Sequence, residues 1–438
     1  MAELTRTLGL WGAAAVGIGA IIGTGIFVLI GVASGIAGPA VIISFLIAGF
    51  TALLTGLSTA ELSSFITEAG GSYIYTTKAF GKFPGFVIGW MKSFDYIVGA
   101  SAVSIGFAAY FAYLAGIPPA VGTLVLVGTI WPLVLMVLNL KGMKEAGGMN
   151  SVLVALKISA LVIFILVGGW FLFTHGDFAN YHPFFPNGIA GALSGASIIF
   201  FAFIGFNTIA IIAEEVKDPE KNVPRAVLIS FAICTLLYIG VSVVSVGLLN
   251  WKVLGMSSAP LEAALRVATG NFFILEFIAF TALVATTSVI ITSIMGGSRA
   301  LFAMARQRVI PGTFAHISQN GIPFLTVLIT GITISAIVFF TNGNLDWLAS
   351  IFNFGTLVTF TFINLSLLQL RRTMPDVQRG FRVPLYPFTP VIGVISCLLL
   401  SFYLNRNALV VGFGWVAIGI VAYVWNRKRY QVIAEGIS

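Results

Sequence analysis

The stretch Val16-Gly-Ile-Gly-Ala-Ile-Ile-Gly-Thr-Gly-Ile-Phe27 lies inside a longer apolar run from Leu8 to Ala37. That run is long enough to cross a bilayer, which takes roughly 20 apolar residues. Its middle carries four glycines, which disfavour an uninterrupted helix. In hydrocarbon an opened helix is stable only where protein or a water-filled cavity surrounds it, because each freed N–H and C=O group needs a partner. The sequence Ile22-Gly-Thr-Gly-Ile26 therefore predicts a helix break that lines a cavity.

Such a break suits a zwitterion. The N–H groups that begin the second half-helix lie at its positive dipole end and favour a carboxylate, whereas the carbonyls that end the first half favour an ammonium group. The alternative is that the small residues only let a neighbouring helix approach closely. This stretch alone leaves both interpretations open.

Composition places the chain in a membrane. Of its residues 58% are hydrophobic and 9% are charged, whereas a soluble domain has roughly 25% charged residues. Apolar runs of spanning length follow one another with short links between them. We predict about twelve crossings, here called spans 1 to 12, at residues 8–37, 39–61, 86–115, 120–140, 149–173, 190–213, 226–249, 272–301, 324–340, 345–370, 387–404 and 408–425.

The basic residues are distributed as membrane topology requires. Most of the 23 Lys and Arg residues lie at one set of alternating span ends, while the opposite loops hold Lys252, Arg266 and Arg406. The positive-inside rule then predicts that both termini lie in the cytoplasm. We expect a multi-pass protein of the cell (plasma) membrane. The net charge of +8 follows from this topology and from attraction to membrane lipid, so no nucleic-acid partner is predicted.

Other site chemistries find no support in the sequence. Cys234 and Cys397 lie within spans, and the three histidines lie in separate loops, so neither a disulfide nor a metal site is predicted. The spans contain no nucleophile and base pair and no carboxylate dyad. We therefore predict a protein that is not an enzyme and needs no cofactor; the oligomeric state is not indicated.

A second candidate break lies in span 6, where Gly205 is followed by the polar residues Asn207 and Thr208 in apolar surroundings. Five crossings separate spans 1 and 6, and because five is odd the two halves of the chain run in opposite senses. That is the arrangement of inverted repeats whose discontinuous helices face each other at the membrane midplane. The phenylalanines at 200–206 either gate a small pocket or simply pack together.

Ionisable residues within the spans are costly and need an explanation. Lys92 and Asp95 are three residues apart on one helical face, and we predict that they neutralise each other; a cavity-lining role for Asp95 or Tyr96 is the alternative. Lys157 lies about 12 Å beyond the start of span 5. From the residues alone, its stem either reaches the interface or its amine sits buried and exchanges a proton.

Other polar residues near the spans carry weaker signals. The hydroxyls of Thr286-Thr-Ser288 in span 8 either bond back to their own helix or face inward. Glu61 and Glu68, near the end of span 2, are predicted to be interfacial unless a partner pairs them.

Three motifs resemble those of amino acid permeases of the amino acid, polyamine and organocation (APC) superfamily. They lie at 19–27, at 61–75 and at 203–225, where the last includes Glu214-Glu-Val-Lys-Asp-Pro219. The resemblance covers nearly the whole chain in order. It implies an all-α integral membrane protein of the leucine-transporter type, a single domain over 1–438. Its first repeat would span about 8–174 and its second about 188–371, with two additional helices at about 387–426 and with helices 1 and 6 discontinuous.

The resemblance also implies a substrate site. The N–H groups of Thr24, Gly25 and Ile26 would bind the substrate carboxylate. Main-chain carbonyls would bind its amino group; they are those of Ala20 and Ile21 and of the 201–204 stretch, with Phe201, Phe203 and Ile204.

The same resemblance assigns roles to two further positions. Lys157 matches a lysine that some members place where sodium-coupled relatives hold an ion, and this favours a proton-linked role with Ile22, Thr287 and Ser288 as neighbours. Many relatives have an acidic residue where this chain has Asn207. Because an amide neither neutralises a cationic side chain nor relays a proton, Asn207 favours neutral substrates.

The sequence thus predicts a secondary active transporter that takes up neutral amino acids with protons by alternating access. One alternative is an exchanger of amino acids or amines, in which Lys157 is only structural. The other is a sensor of the same fold that binds an amino acid without transporting it.

Overall fold

A computed structural model of the protein describes residues 8–66, 68, 70–141, 147–175, 178–206, 208–209, 216–306, 310–317 and 323–435. Within these ranges the chain is helical apart from its links, and extended pairing is limited to a parallel bridge between Leu8 and Val216. The α-helices are α1 Leu10–Ile21, α2 Ile30–Ala37, α3 Val41–Phe65, α4 Ser72–Phe80, α5 Lys82–Leu114, α6 Val121–Leu140, α7 Gly147–His175, α8 Gly188–Ile199, α9 Pro219–Leu248, α10 Trp251–Met256, α11 Pro260–Ala268, α12 Phe272–Arg306, α13 Phe324–Phe340, α14 Leu345–Thr373, α15 Phe388–Phe402 and α16 Arg406–Glu435.

The helices have the length and composition of a membrane protein. In the described ranges, eight helical stretches are long and apolar enough to cross a bilayer, and α1, α13, α15 and the stretch Gly188–Phe203 are shorter apolar helices. Span 1 is divided between α1 and the stretch Gly25–Phe65, which also contains span 2, and each other predicted span overlaps an apolar helix. The prediction of an all-α membrane fold is therefore confirmed. The most apolar window of α5 is 83% buried and that of α16 only 17%, which places α5 at the centre and α16 at the rim.

Helix ends follow the local sequence. The Asn344 side chain accepts the N–H of Trp347 at 3.0 Å and caps the start of α14. Gly81, with φ +94°, separates α4 from α5, because a glycine takes up the backbone conformation that a larger residue resists. Capping residues such as Asn344 and glycines such as Gly81 allow the chain to turn between successive helices over short links.

The helices pack as two groups. The first comprises α1, α3, α8 and α9, and the second comprises α5, α6, α12 and α13. Helix α14 contacts members of both groups, through α3 and α8 on one side and α5 on the other. The interrupted spans 1 and 6 belong to the first group, so anything bound at their breaks lies within reach of the second.

A buried ion cluster joins α3 to the end of α14 and to the segment that follows it. Glu61 of α3 is fully buried, and its two carboxylate oxygens accept from Nε and Nη2 of Arg371, each at 2.7 Å. Arg379 lies 3.3 Å from the same carboxylate, and the N–H of Val383 donates to it at 2.6 Å. Glu61 therefore is not interfacial but holds the segment after α14 against α3, whereas Glu68 is exposed and pairs with a surface lysine.

Candidate functional site

Span 1 is interrupted where its glycines predict. Helix α1 ends at Ile21, and Ile22 is extended, with φ −74° and ψ 97°. The chain becomes helical again at Thr24 and continues through a π-helical turn, Gly25–Leu29, into α2. The first N–H groups of a helix have no acceptor within it, so those of Thr24, Gly25 and Ile26 face the break. The Thr24 hydroxyl is buried there and has no hydrogen-bond partner among the described residues.

Span 6 is interrupted as well. Helix α8 tightens into the 3-10 turn Phe200–Phe203, after which Ile204 is extended with φ −81° and ψ 134°. Gly205 has φ +140°, a conformation that favours glycine. Asn207, predicted from the resemblance to bear on the choice of substrate, lies outside the described residues.

The two interruptions lie directly against each other. A Cβ atom built on Gly25 would lie 2.3 Å from the Cα of Ala202 in span 6. Reciprocally, a Cβ built on Gly205 would lie 2.4 Å from the carbonyl oxygen of Ala20 in span 1. The glycines thus have two functions, because they open each helix and also allow the opened backbones to touch.

The carbonyls that end α1 have distinct partners. The carbonyl of Ile18 accepts the N–H of Ile22 at 2.8 Å, and that of Gly19 accepts from Lys157 at 3.0 Å. The Ile21 carbonyl accepts from a tyrosine of α9, and the Ala20 carbonyl lies against Gly205. Of the two α1 carbonyls predicted to bind an ammonium group, Ile21 is thus already engaged, which leaves Ala20 as the better candidate.

Tyr238 of α9 connects the two breaks. Its fully buried hydroxyl lies 2.9 Å from the carbonyl of Ile21 and 3.1 Å from the carbonyl of Ala202. A phenol has a single proton to donate, so the two carbonyls share it. Sequence reasoning missed this residue; the available signal was a single tyrosine in the middle of an apolar span.

The phenylalanines of span 6 have different surroundings. The ring of Phe201 lies 4.4 Å from that of Phe352 in α14, measured between centroids, and Phe352 in turn lies against Gly99 of α5. Phe203 is fully buried between the rings of Phe45 and Tyr238. Phe201 thus packs on α14 beside the break, whereas Phe203 lies in the hydrophobic core and can contribute only its main chain.

Lys157 is buried rather than extended to the interface. Its side chain is 3% exposed, and its ammonium donates to the carbonyl of Gly19 at 3.0 Å, one turn before the break. Thr287 donates its hydroxyl to the carbonyl of Leu283 in its own helix at 2.9 Å. Ser288 is partly exposed, and Ile22 is fully buried within the break. Burial and the bond to α1 argue against the interfacial interpretation of Lys157.

The predicted pair in span 3 forms, although it is long. Lys92 Nζ lies 3.9 Å from Asp95 Oδ2, which also accepts from the Thr356 hydroxyl at 3.3 Å. Asp95 is 1% exposed, and its Oδ1 has no hydrogen-bond partner among the described residues. That oxygen packs against Gly355 of α14. Asp95 therefore is a buried carboxyl one helical turn from Gly99, which contacts Phe352.

The far end of span 1 is covered. Gly35 and Gly255 bring α2 and α10 into contact; a Cβ on Gly255 would lie 2.6 Å from the Cα of Gly35. In α11, Arg266 donates to the carboxylate of Glu262 at 2.7 Å, and this hydrogen bond raises the pKa of Arg266. Arg266 also donates to the Tyr113 hydroxyl at the end of α5, at 3.3 Å. The site is therefore closed toward α10 and α11.

Comparison with known proteins assigns the family. The family model described as "Amino acid permease" matches residues 12–424. The chain is 34% identical to the protein named "Methylthioribose transporter" of Bacillus subtilis (strain 168), over 98% of this chain and 95% of the relative. It is equally identical, over the same shares, to the "Branched-chain amino acid permease BcaP" of that organism. It is also 33% identical to the "Cationic amino acid transporter 3, mitochondrial" of Arabidopsis thaliana, over 82% of this chain and 61% of the relative.

The match over nearly the whole chain agrees with the observed geometry, namely an apolar helical assembly with two opened helices that meet at its centre. The motifs that predicted the resemblance lie at these helix breaks and at the adjoining helix ends. The chain belongs to the amino acid permease family, a family of multi-pass membrane transporters rather than enzymes.

Proposed function

We propose that this protein is a secondary active transporter that takes up neutral amino acids together with protons by alternating access. The observation that carries the proposal is the contact between the two breaks through Gly25 and Gly205. It brings the first N–H groups of one half-helix and end-of-helix carbonyls of another to one buried point. A carboxylate and an ammonium group one carbon apart fit such a pair of helix ends.

The side chains beside the break favour an apolar substrate. Phe201 packs on Phe352, which in turn contacts Gly99, and none of the three carries a charge. Two relatives are named branched-chain amino acid permeases, which fits this lining. Others are named for cationic amino acids and methylthioribose. Lysine and methylthioribose are therefore the compounds to test as competitors of leucine uptake.

The proposed architecture is an inverted repeat within one domain over 1–438. The first half, at about 8–174, would begin with the broken span 1 and the second, at about 188–371, with the broken span 6; two helices at about 387–426 follow. The support is that both breaks occur in the first span of their half. The proposed location is the plasma membrane, and the charge asymmetry of the loops supports an orientation with both termini in the cytoplasm.

Lys157 is the proposed proton-coupling residue. Its amine lies within hydrogen-bond distance of the last turn of α1, so a change in its charge acts directly on the half-helix that ends at the substrate site. Ile22 lies within that break. Thr287 and Ser288, on α12, are the proposed neighbours that stabilise the amine when α1 moves.

Uptake of labelled leucine into proteoliposomes tests the proposal. Accumulation driven by an imposed inward proton gradient, without sodium, is the expected result. Uptake that requires counter-substrate inside would instead indicate an exchanger, and binding without uptake would indicate a sensor. Lys157→Ala should abolish gradient-driven accumulation, whereas Lys92→Ala, at a partly exposed site, should retain most of it. Normal accumulation by Lys157→Ala would remove this lysine from the mechanism.

A further inference from the structure

Asn353, in the middle of α14, is a buried amide next to the break in span 6. It is fully buried, and its Nδ2 donates to the carbonyl of Ser197 at 2.7 Å and to the carbonyl of Ile198 at 3.0 Å. Both acceptors are carbonyls, so the amide orientation is fixed with the NH₂ group toward α8. The Oδ1 atom points elsewhere and has no hydrogen-bond partner among the described residues.

The two carbonyls lie where the regular hydrogen bonds of α8 end, and the carbonyl of Ile198 also accepts the N–H of Phe200. Ser197 and Ile198 lie in the last turn of α8, which ends at Ile199 before the 3-10 turn begins. The last four carbonyls of an α-helix lack an N–H four residues farther on. In a membrane interior without water, such groups must be satisfied by protein. One side chain from another helix supplies both bonds.

Asn353 is also placed to fix the direction of the chain beyond α8. Phe352, its neighbour in the chain, packs on Phe201. Two adjacent residues of α14 therefore contact span 6, Asn353 before the end of α8 and Phe352 after it. The carbonyls of Ala202, Phe203 and Ile204 come within the next turn. A shift in the end of α8 would therefore move the carbonyls that are proposed to receive the substrate ammonium group.

We propose that Asn353 is a positioning residue for substrate recognition. By holding the last turn of α8, it sets the place of the span-6 carbonyls that bind the ammonium group. It does not touch the substrate itself. This inference rests on the proposed function, because it concerns how the same site recognises an amino acid.

The test compares two ligands of purified full-length protein: leucine, and 4-methylpentanoate, which is leucine without its amino group. The wild-type protein should prefer leucine. Asn353→Ala should lower the affinity for leucine about tenfold, the effect of roughly one to two lost hydrogen bonds, and leave the affinity for 4-methylpentanoate nearly unchanged. The preference for leucine then falls by the same factor.

Asn364→Ala is the matched control. Asn364 is a second fully buried asparagine of α14, hydrogen-bonded to Thr55 and Ser58 of α3. Its removal should destabilise the protein comparably without changing the ratio of the two affinities. Asn353→Ser, which retains one short donor, should fall between wild type and Asn353→Ala and covers the case in which the alanine variant fails to fold.

An unchanged ratio in Asn353→Ala and Asn353→Ser, at whatever stability, overturns the positioning role. Equal losses for both ligands also overturn it, because they indicate a merely structural residue. If the wild-type protein does not distinguish leucine from 4-methylpentanoate, the ammonium site itself is wrong and the proposed function falls together with this inference.

Discussion

Substitution of Gly25 by alanine tests whether the two breaks touch as the structure describes. Gly25 begins the π-helical turn after the break in span 1. Considered locally, the change should help, because alanine is more favourable than glycine in a helix by about 1 kcal/mol. Considered in three dimensions, it should harm, because the new methyl group points into the backbone of span 6. The two expectations have opposite signs.

The size of the effect follows from the contact. The Cβ would lie 2.3 Å from the Cα and 2.8 Å from the N of Ala202. An ordinary contact begins at 3.4 Å, so spans 1 and 6 must separate by roughly 1 Å, against close packing on both sides. Overpacking of this kind costs about 1–3 kcal/mol. The separation also spreads the N–H groups and carbonyls that are proposed to bind substrate.

Thermal unfolding in detergent and initial uptake of leucine into proteoliposomes measure the two consequences. We expect Gly25→Ala to unfold at a lower temperature and to transport at least about tenfold more slowly, since a misplacement near 1 Å at a recognition site suffices for that. Gly23→Ala should be mild, because its Cβ meets only the tip of Val289, at 3.2 Å. Gly414→Ala on α16, with open space around it, should have no effect on transport. Wild-type stability and transport in Gly25→Ala would refute the contact.

Three further substitutions have expected outcomes. Glu61→Gln should destabilise the protein by about 3–5 kcal/mol in thermal unfolding, because it leaves the buried Arg379 and the partly buried Arg371 without their carboxylate. Glu68→Gln at an exposed pair should cost at most about 1 kcal/mol, and equal effects would contradict the buried cluster. Tyr238→Phe should leave the carbonyls of both breaks without their shared donor. We expect leucine binding, measured by isothermal titration, to weaken by about tenfold. Unchanged affinity would mean that the Tyr238 hydrogen bonds do not affect the site. Asp95→Asn should leave the unfolding temperature unchanged or raise it, because only a 3.9 Å pair and a long hydrogen bond from Thr356 offset the desolvation of the buried carboxylate. A large loss of stability would show that these contacts contribute more than their geometry indicates.

Much of the fold could be predicted from local sequence. The apolar runs located the helices, and the glycines at Gly23 and Gly205 located both interruptions. These predictions succeed because helix length and helix breaking depend on residues near one another in the chain. Their boundaries were less accurate, as α3 runs to Phe65 where the sequence indicated an end near Glu61.

The site was predictable only in part. The resemblance indicated Lys157 and the main-chain groups of spans 1 and 6, and the structure places Lys157 on the end of α1 and the two breaks in contact. The resemblance does not distinguish Phe201, beside the break, from Phe203, in the core, because two phenylalanines in one apolar run carry the same sequence signal. Their difference arises from which helix each ring meets.

Short stretches of sequence suffice to show that this protein spans a membrane, which segments are helical and where two of them open, because burial in lipid and the conformational freedom of glycine are local properties. What satisfies the opened groups depends on the packing of helices that are remote in the chain. Tyr238 meets Ile21 from 217 residues away, and Glu61 meets Arg371 across 310. Polar groups in hydrocarbon must find partners, but which partner each one finds depends on how remote helices pack, and that information is not local to any stretch of the chain.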